Sequence, residues 1–258
     1  MRILLPPSEA KHPGGRGRAI SARAAHPLLG EARTCVLDAL ERLVGGCREQ
    51  AAAALLLPPA AVEDALRADA AARTSGTRPA LERYAGVVYD GLAAADLDTA
   101  AARLARRSVL VFSGLFGVVR GDEPVPDYRV PAKAVLPGIG VAGTFWRPVL
   151  DQTMPRLLDR GLVVDLRSSD YAAMWRPRGD IARRTVRVRV LSPLPSGGRG
   201  VVSYPSKFAK GRLTGALLRR AARGERLRSA ADVAAAWLDD GGPVAEVERD
   251  DLVIVHTR

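Results

Sequence analysis

The residues of this sequence best suited to chemistry are its scarce lysines and tyrosines. Of 39 basic residues only four are lysines, Lys11, Lys133, Lys207 and Lys210. In a chain that otherwise draws positive charge from arginine, a lysine supplies a compact ammonium whose pKa is readily tuned. The five tyrosines, Tyr84, Tyr89, Tyr128, Tyr171 and Tyr204, lie in or beside short polar, glycine-containing clusters, in company with Lys11, Arg129, Asp170, Lys207 and Lys210. The cations can hold an anion. Asp170 can act as general acid or base beside Lys11 and Tyr171, because such groups relay protons once their pKa values shift. Tyrosines packed in a core with satisfied hydroxyls are the plainer reading of the same residues.

Charge is the second source of chemistry. The formal net charge is +11 and the pI is near 10.5. Residues 176–228 hold fifteen Lys/Arg and two acids, Asp180 and Glu225, a net of +13, so the remainder sums to −2. A stripe confined to one segment suits a phosphate or polyanion binder, and equally a solvated basic face. Within it, Thr185-Val186-Arg187-Val188-Arg189-Val190 alternates with period two, which predicts a strand with valines on one face and Arg187 and Arg189 on the other. Residues 206–223 read as a helix with Leu213, Leu217 and Ala221 on its apolar stripe and Lys207 and Lys210 near its anion-favouring N-terminus. DNA is the expected partner of Arg187, Arg189 and Arg212. Gly45 and Gly46, between two helical stretches, are a candidate hairpin whose N–H groups could reach phosphates.

Other chemistries find little support. Gly138-Ile139-Gly140-Val141-Ala142-Gly143 matches a dinucleotide fingerprint, with Asp165 22 residues further on. Pro137 precedes the first glycine, which spoils the entering strand and favours a plain turn. His12, His26 and His256 with Cys35 and Cys47 show no ligand spacing, so no metal and no cofactor is expected. Ser113 follows a strand-like run but lacks the glycine-framed elbow of a serine hydrolase.

With 258 residues, 47% hydrophobic and 26% charged, the composition is that of a globular domain. No apolar run is long enough to cross a bilayer, no leader is evident, and two cysteines make no disulfide framework, so a cytoplasmic protein is expected. Apolar runs predict strands at 2–5, 108–112, 162–166, 185–191, 200–204 and 252–256. Helices are expected near 22–50, 60–73, 96–107, 144–160, 206–223 and 229–238. Some neighbouring strands lack a helical crossover, so the expected fold is a single α/β domain with a mixed β-sheet wrapped by helices.

Several segments together resemble the peroxide stress protein YaaA family. They are Leu4-Leu5-Pro6-Pro7-Ser8-Glu9-Ala10-Lys11, Tyr84-Ala85-Gly86-Val87-Val88-Tyr89-Asp90-Gly91-Leu92, Phe112 to Arg120, Pro126-Asp127-Tyr128-Arg129, Phe145-Trp146, Val164 to Tyr171, and Val202-Ser203-Tyr204 with Lys207, Ala209, Lys210 and Gly211. They follow the family order across nearly the whole chain. The resemblance implies a role in oxidative stress and DNA binding through a helix-hairpin-helix near Leu40 to Ala54. The family pattern has no counterpart to the Gly138–Gly143 segment. The motif positions complete an expected anion site of Ser8, Lys11, Tyr89, Ser113, Tyr128, Arg129, Ser168, Lys207 and Lys210. The partner is then DNA or a small anionic ligand, acted on in the second case with Asp170, Tyr171 and Lys11 as catalytic groups. No protein partner is evident.

Overall fold

The computed structural model describes residues 1–20, 27–158, 160–194, 197–248 and 251–255. An eight-stranded mixed sheet forms its centre, as expected. Its strands are β1 (Arg2–Leu5), β2 (Val109–Ser113), β3 (Gly117–Arg120), β4 (Val163–Asp165), β5 (Thr185–Pro193), β6 (Arg199–Gly200), β7 (Ala245–Glu248) and β8 (Asp251–Val255). Their order is β7-β8-β5-β4-β1-β2-β3, with β6 added to β5. The five strands β8, β5, β4, β1 and β2 run parallel, while β7, β6 and β3 pair antiparallel at the margins. Ile3, Leu4 and Leu5 of β1 are all fully buried. A central parallel strand covered on both faces requires such an unbroken apolar run. On β5 the alternation holds: Val186, Val188 and Val190 are buried and Arg187 and Arg189 exposed.

The principal helices are α1 (Pro27–Val44), α2 (Arg48–Ala54), α3 (Val62–Ala70), α4 (Val87–Leu92), α5 (Thr99–Ser108), α6 (Ala142–Leu157), α7 (Ser203–Ala222) and α8 (Ala230–Asp239). The helix expected over 22–50 is two helices, because Gly45 and Gly46 end α1; its first residues, 22–26, lie outside the described ones. The strand expected at 200–204 is corrected. Only Gly200 joins the sheet, and Ser203-Tyr204-Pro205 opens α7, where proline is tolerated because a first-turn residue needs no N–H donor. Gly138 and Gly140 have φ of +79° and +73° and form the turn of a small ribbon pairing Val135–Leu136 with Gly140–Val141. No strand of the main sheet enters that turn, so the segment is the plain glycine turn.

The chain passes from β1 to β2 on one side, then crosses to β4, β5 and β8 on the other. In open α/β sheets, ligands bind beyond the carboxyl ends of the strands at such a reversal. The segments leaving β1, β2 and β4 there are those carrying Lys11, Ser113 and Tyr171.

Candidate functional site

Lys11 is the centre of the cluster. Its segment leaves β1 and forms an isolated bridge with Tyr84. The ammonium donates to the Ser8 carbonyl at 3.0 Å and lies 4.1 Å from the Tyr128 ring centroid and 5.5 Å from that of Tyr84. Both aromatic faces attract the cation. The Tyr84 and Tyr128 hydroxyls are 2.7 Å apart, and Tyr128 shares a second 2.7 Å hydrogen bond with Ser113 Oγ. Ser113 also accepts the N–H groups of Leu115 and Phe116, which holds it at the end of β2. Tyr89, on α4, stacks on Tyr84 at 5.4 Å and donates to the Pro6 carbonyl. Burial raises the pKa of Tyr84, Tyr89, Tyr128 and Tyr171, so all four remain protonated at neutral pH.

Two carboxylates face these cations. Asp69 of α3 is buried; its Oδ1 accepts the Arg129 N–H at 2.7 Å and its Oδ2 has no partner among the described residues. The Arg129 guanidinium pairs with Asp127 and donates to the Tyr128 carbonyl. Burial raises the Asp69 carboxyl to a pKa of about 7. Burial, aided by the nearby Arg129 charge, lowers the Lys11 ammonium to about 7. An amine and a carboxyl group poised near neutrality are what proton transfer at physiological pH needs.

This pairing has a signature in stability. The folded state holds the Asp69 proton between pH 3.8 and about 7, where the unfolded chain has released it. Stability therefore falls as pH rises through that window, by up to ~1.4 kcal/mol per pH unit. For Lys11 the unfolded chain binds more protons between about 7 and 10.5, so its contribution rises with pH there. Asp69→Asn keeps the acceptor for Arg129 and is expected to flatten the acid-side slope in urea unfolding series at pH 4 to 7. An unchanged slope would refute the role given to Asp69.

The remaining expected residues lie around this centre or apart from it. Tyr171 is half-buried. Asp170 pairs with Lys133 at 3.0 Å and is partly exposed, so the buried carboxylate beside Lys11 is Asp69. Ser168 is exposed at the start of a single-turn helix. Lys210 donates to the Arg167 carbonyl at 3.1 Å, with burial lowering its pKa. Arg167 forms a buried two-point pair with Asp165, at 2.8 and 2.6 Å, and lies over Phe112. That pair occupies the acid that a dinucleotide site would need for ribose. Lys207 is exposed on the first turns of α7.

Part of the basic stripe is paired with acids from beyond it. Arg189 pairs with Glu248, Arg199 with Glu246, and Arg212 and Arg219 with Asp240. Arg212 also stacks on Trp237, so it ties α7 to α8. Arg187 stays exposed on β5. The Gly45 and Gly46 N–H groups donate to the Glu41 and Leu43 carbonyls, which closes α1 and uses the amides a phosphate would need.

Sequence reasoning missed Asp69. Its one signal is position: a carboxylate in the last turn of a helix opposes the dipole, which disfavours it without a compensating partner. Among the described residues, no group of three or more His, Cys, Asp or Glu is placed to hold a metal ion, and no helix is long and apolar enough to cross a membrane.

The sequence matches the family model of the peroxide stress protein YaaA over residues 1–234. It is 44% identical over 223 residues to UPF0246 protein SCO2297 of Streptomyces coelicolor, covering 84% of this chain and 83% of the relative. It is 37% identical over 223 residues to UPF0246 protein CE1889 of Corynebacterium efficiens, covering 83% of each chain. Cgl1995/cg2186 of Corynebacterium glutamicum, another UPF0246 protein, is 36% identical over 224 residues, again covering 83% of each. With most of its length matched and its motifs gathered at the carboxyl ends of β1, β2 and β4, the chain belongs to the peroxide stress protein YaaA family.

Proposed function

We propose that this is a cytoplasmic protein of the peroxide stress response that binds a phosphate-bearing anion at the Lys11 cluster. The carrying observation is that Lys11 faces Arg129, lies against two tyrosine rings, and spends its hydrogen bonds on backbone carbonyls, with no carboxylate in ion-pair contact among the described residues. An arriving anion restores the full charge of the ammonium, which is a direct thermodynamic link between protonation and binding. Asp69 and Lys11 then equip the site for acid–base chemistry on the bound group. Titration with inorganic pyrophosphate tests the reading. Lys11→Met is expected to weaken binding about tenfold or more, and the native protein's affinity to fall as pH rises above 7. Equal binding by native and variant protein would sink it. For the stress role, a deletion strain challenged with hydrogen peroxide is expected to recover with the native gene and not with Lys11→Met.

A second reading, nucleic-acid binding, is favoured by one surface. Tyr204 and Phe208 are exposed, parallel within 6° and 6.5 Å apart, flanking Lys207 on α7. Exposed aromatic rings beside a cation suit the stacking of unpaired bases. Lys207→Glu and Arg187→Glu are expected to weaken DNA binding and flatten its salt dependence. Salt-independent or undetectable binding at low salt counts against it.

A further inference from the structure

We propose that the cleft between the 15–17 loop and the Thr77–Pro79 segment is a second binding site, for a small phosphorylated polyol such as a pentose phosphate. The cleft has a volume of about 720 Å³, within the range of small-molecule sites, and shares no lining residue with the Lys11 cluster. Two guanidiniums line it, Arg16 and Arg78. Among the described residues neither guanidinium has a hydrogen-bond or ion-pair partner, and Arg78 Nε is buried without an acceptor. A phosphate supplies the planar two-point acceptor that guanidinium groups match.

The rest of the cleft narrows the ligand. Glu82 and Asp122 also line it; Glu82 lies 3.6 Å from Arg106, and Asp122 pairs with Arg120 at 2.5 Å. A carboxylate has about four acceptor positions, so each keeps capacity for ligand hydroxyls. Two carboxylates in the wall repel a nucleic-acid backbone and suit a sugar. Pro79 and Pro124 offer apolar surface for its ring.

The frame is rigid before any ligand arrives. Gly17 and Thr77 exchange two backbone hydrogen bonds of 3.0 and 3.2 Å. A Cβ on Gly15 would meet the Gly76 and Thr77 carbonyl oxygens at 2.6 Å, so only glycine allows this approach. The buried Arg83 donates to the carbonyls of Gly14 and Gly76, tying the two segments together. Such preorganisation lowers the entropic cost of binding.

Calorimetric titration with ribose 5-phosphate, inorganic phosphate and ribose, each alone, tests the assignment. Ribose 5-phosphate is expected to bind, inorganic phosphate to bind more weakly, and ribose not to bind. Arg78→Gln and Arg16→Ala should each cut ribose 5-phosphate affinity about tenfold. Arg16 is exposed, so its truncation reads binding even if the Arg78 variant is unstable. Glu82→Gln should weaken ribose 5-phosphate and leave inorganic phosphate unchanged. Binding here should persist in Lys11→Met, which separates it from the proposed anion site. Absence of ribose 5-phosphate binding overturns the assignment, as does binding lost in Lys11→Met and retained in Arg16→Ala.

Discussion

Gly211→Ala is expected to destabilise the protein by about 3 kcal/mol, although alanine is the better helix former by about 1 kcal/mol. The reason is the crossing of α7 over α4. A Cβ on Gly211 would fall inside the contact radius of the Val88 carbonyl oxygen and lie 2.7 Å from the Leu92 nitrogen. Gly91 on α4 meets the Phe208 carbonyl in the same way from the other side. These neighbours are backbone, which cannot rotate away, so the helices must separate. Because α4 carries Tyr89, separation also shifts the ring that stacks on Tyr84 and anchors to Pro6. The variant should therefore show a lower urea midpoint together with weakened pyrophosphate binding. A neutral or stabilising outcome would mean that the two helices do not cross this closely.

Arg83→Met should cost more, about 4 kcal/mol. Arg83 is fully buried and donates to the carbonyls of His12, Gly14, Gly76 and Val125. Methionine has comparable length and no donor, so four carbonyls lose a charged partner at once. Each buried group left unpaired costs about 1–3 kcal/mol, partly offset by no longer burying a cation. The expected consequence is local as well as global. Amide exchange at Gly17 and Thr77 should rise sharply, because the 12–17 segment loses its clamp. Unfolding in urea with exchange read by mass spectrometry checks both. Unaltered protection at Gly17 would contradict the clamp. This segment follows Lys11 directly, so the same variant should weaken pyrophosphate binding.

Much of the frame was legible from local pattern. The apolar run at 2–5 identified a strand, which the structure covers on both faces, and the Val/Arg alternation of β5 identified one with a basic face. The alternation is visible because period two is imposed by the strand itself, and the run because a strand covered on both faces needs apolar residues at every position. Where two local preferences competed, the sequence misled. Val201-Val202-Ser203-Tyr204 has strand character, yet Ser203 begins α7, since packing against α4 outweighs propensity. The short α4, with Val87-Val88 and Gly91, carries no helical period at all and was not anticipated.

The site was legible in part, and for a similar reason. Lys11, Tyr89, Tyr128 and Arg129 were marked by type and company and Ser113 by the family motif; in the fold Tyr128 lies against Lys11 and bonds Ser113, and Tyr89 stacks on Tyr84. Asp69 was invisible, because nothing in its own helix shows that it will lie beneath Arg129, 60 residues away. The +13 stripe misled in the opposite sense. It is real in sequence, but Asp240, Glu246 and Glu248 fold onto Arg189, Arg199, Arg212 and Arg219 and quench part of it.

By itself, then, the sequence determined the central strands, the α/β class, the family and the scarcity of lysine, all of which depend on residue type and short-range spacing. Tertiary structure alone decided which charges are neutralised, which carboxylate faces Lys11, and that both groups titrate near neutrality. Desolvation and Coulomb interactions act between atoms brought together from distant segments, and their strength is set by burial, which no stretch of chain possesses until the others have packed around it.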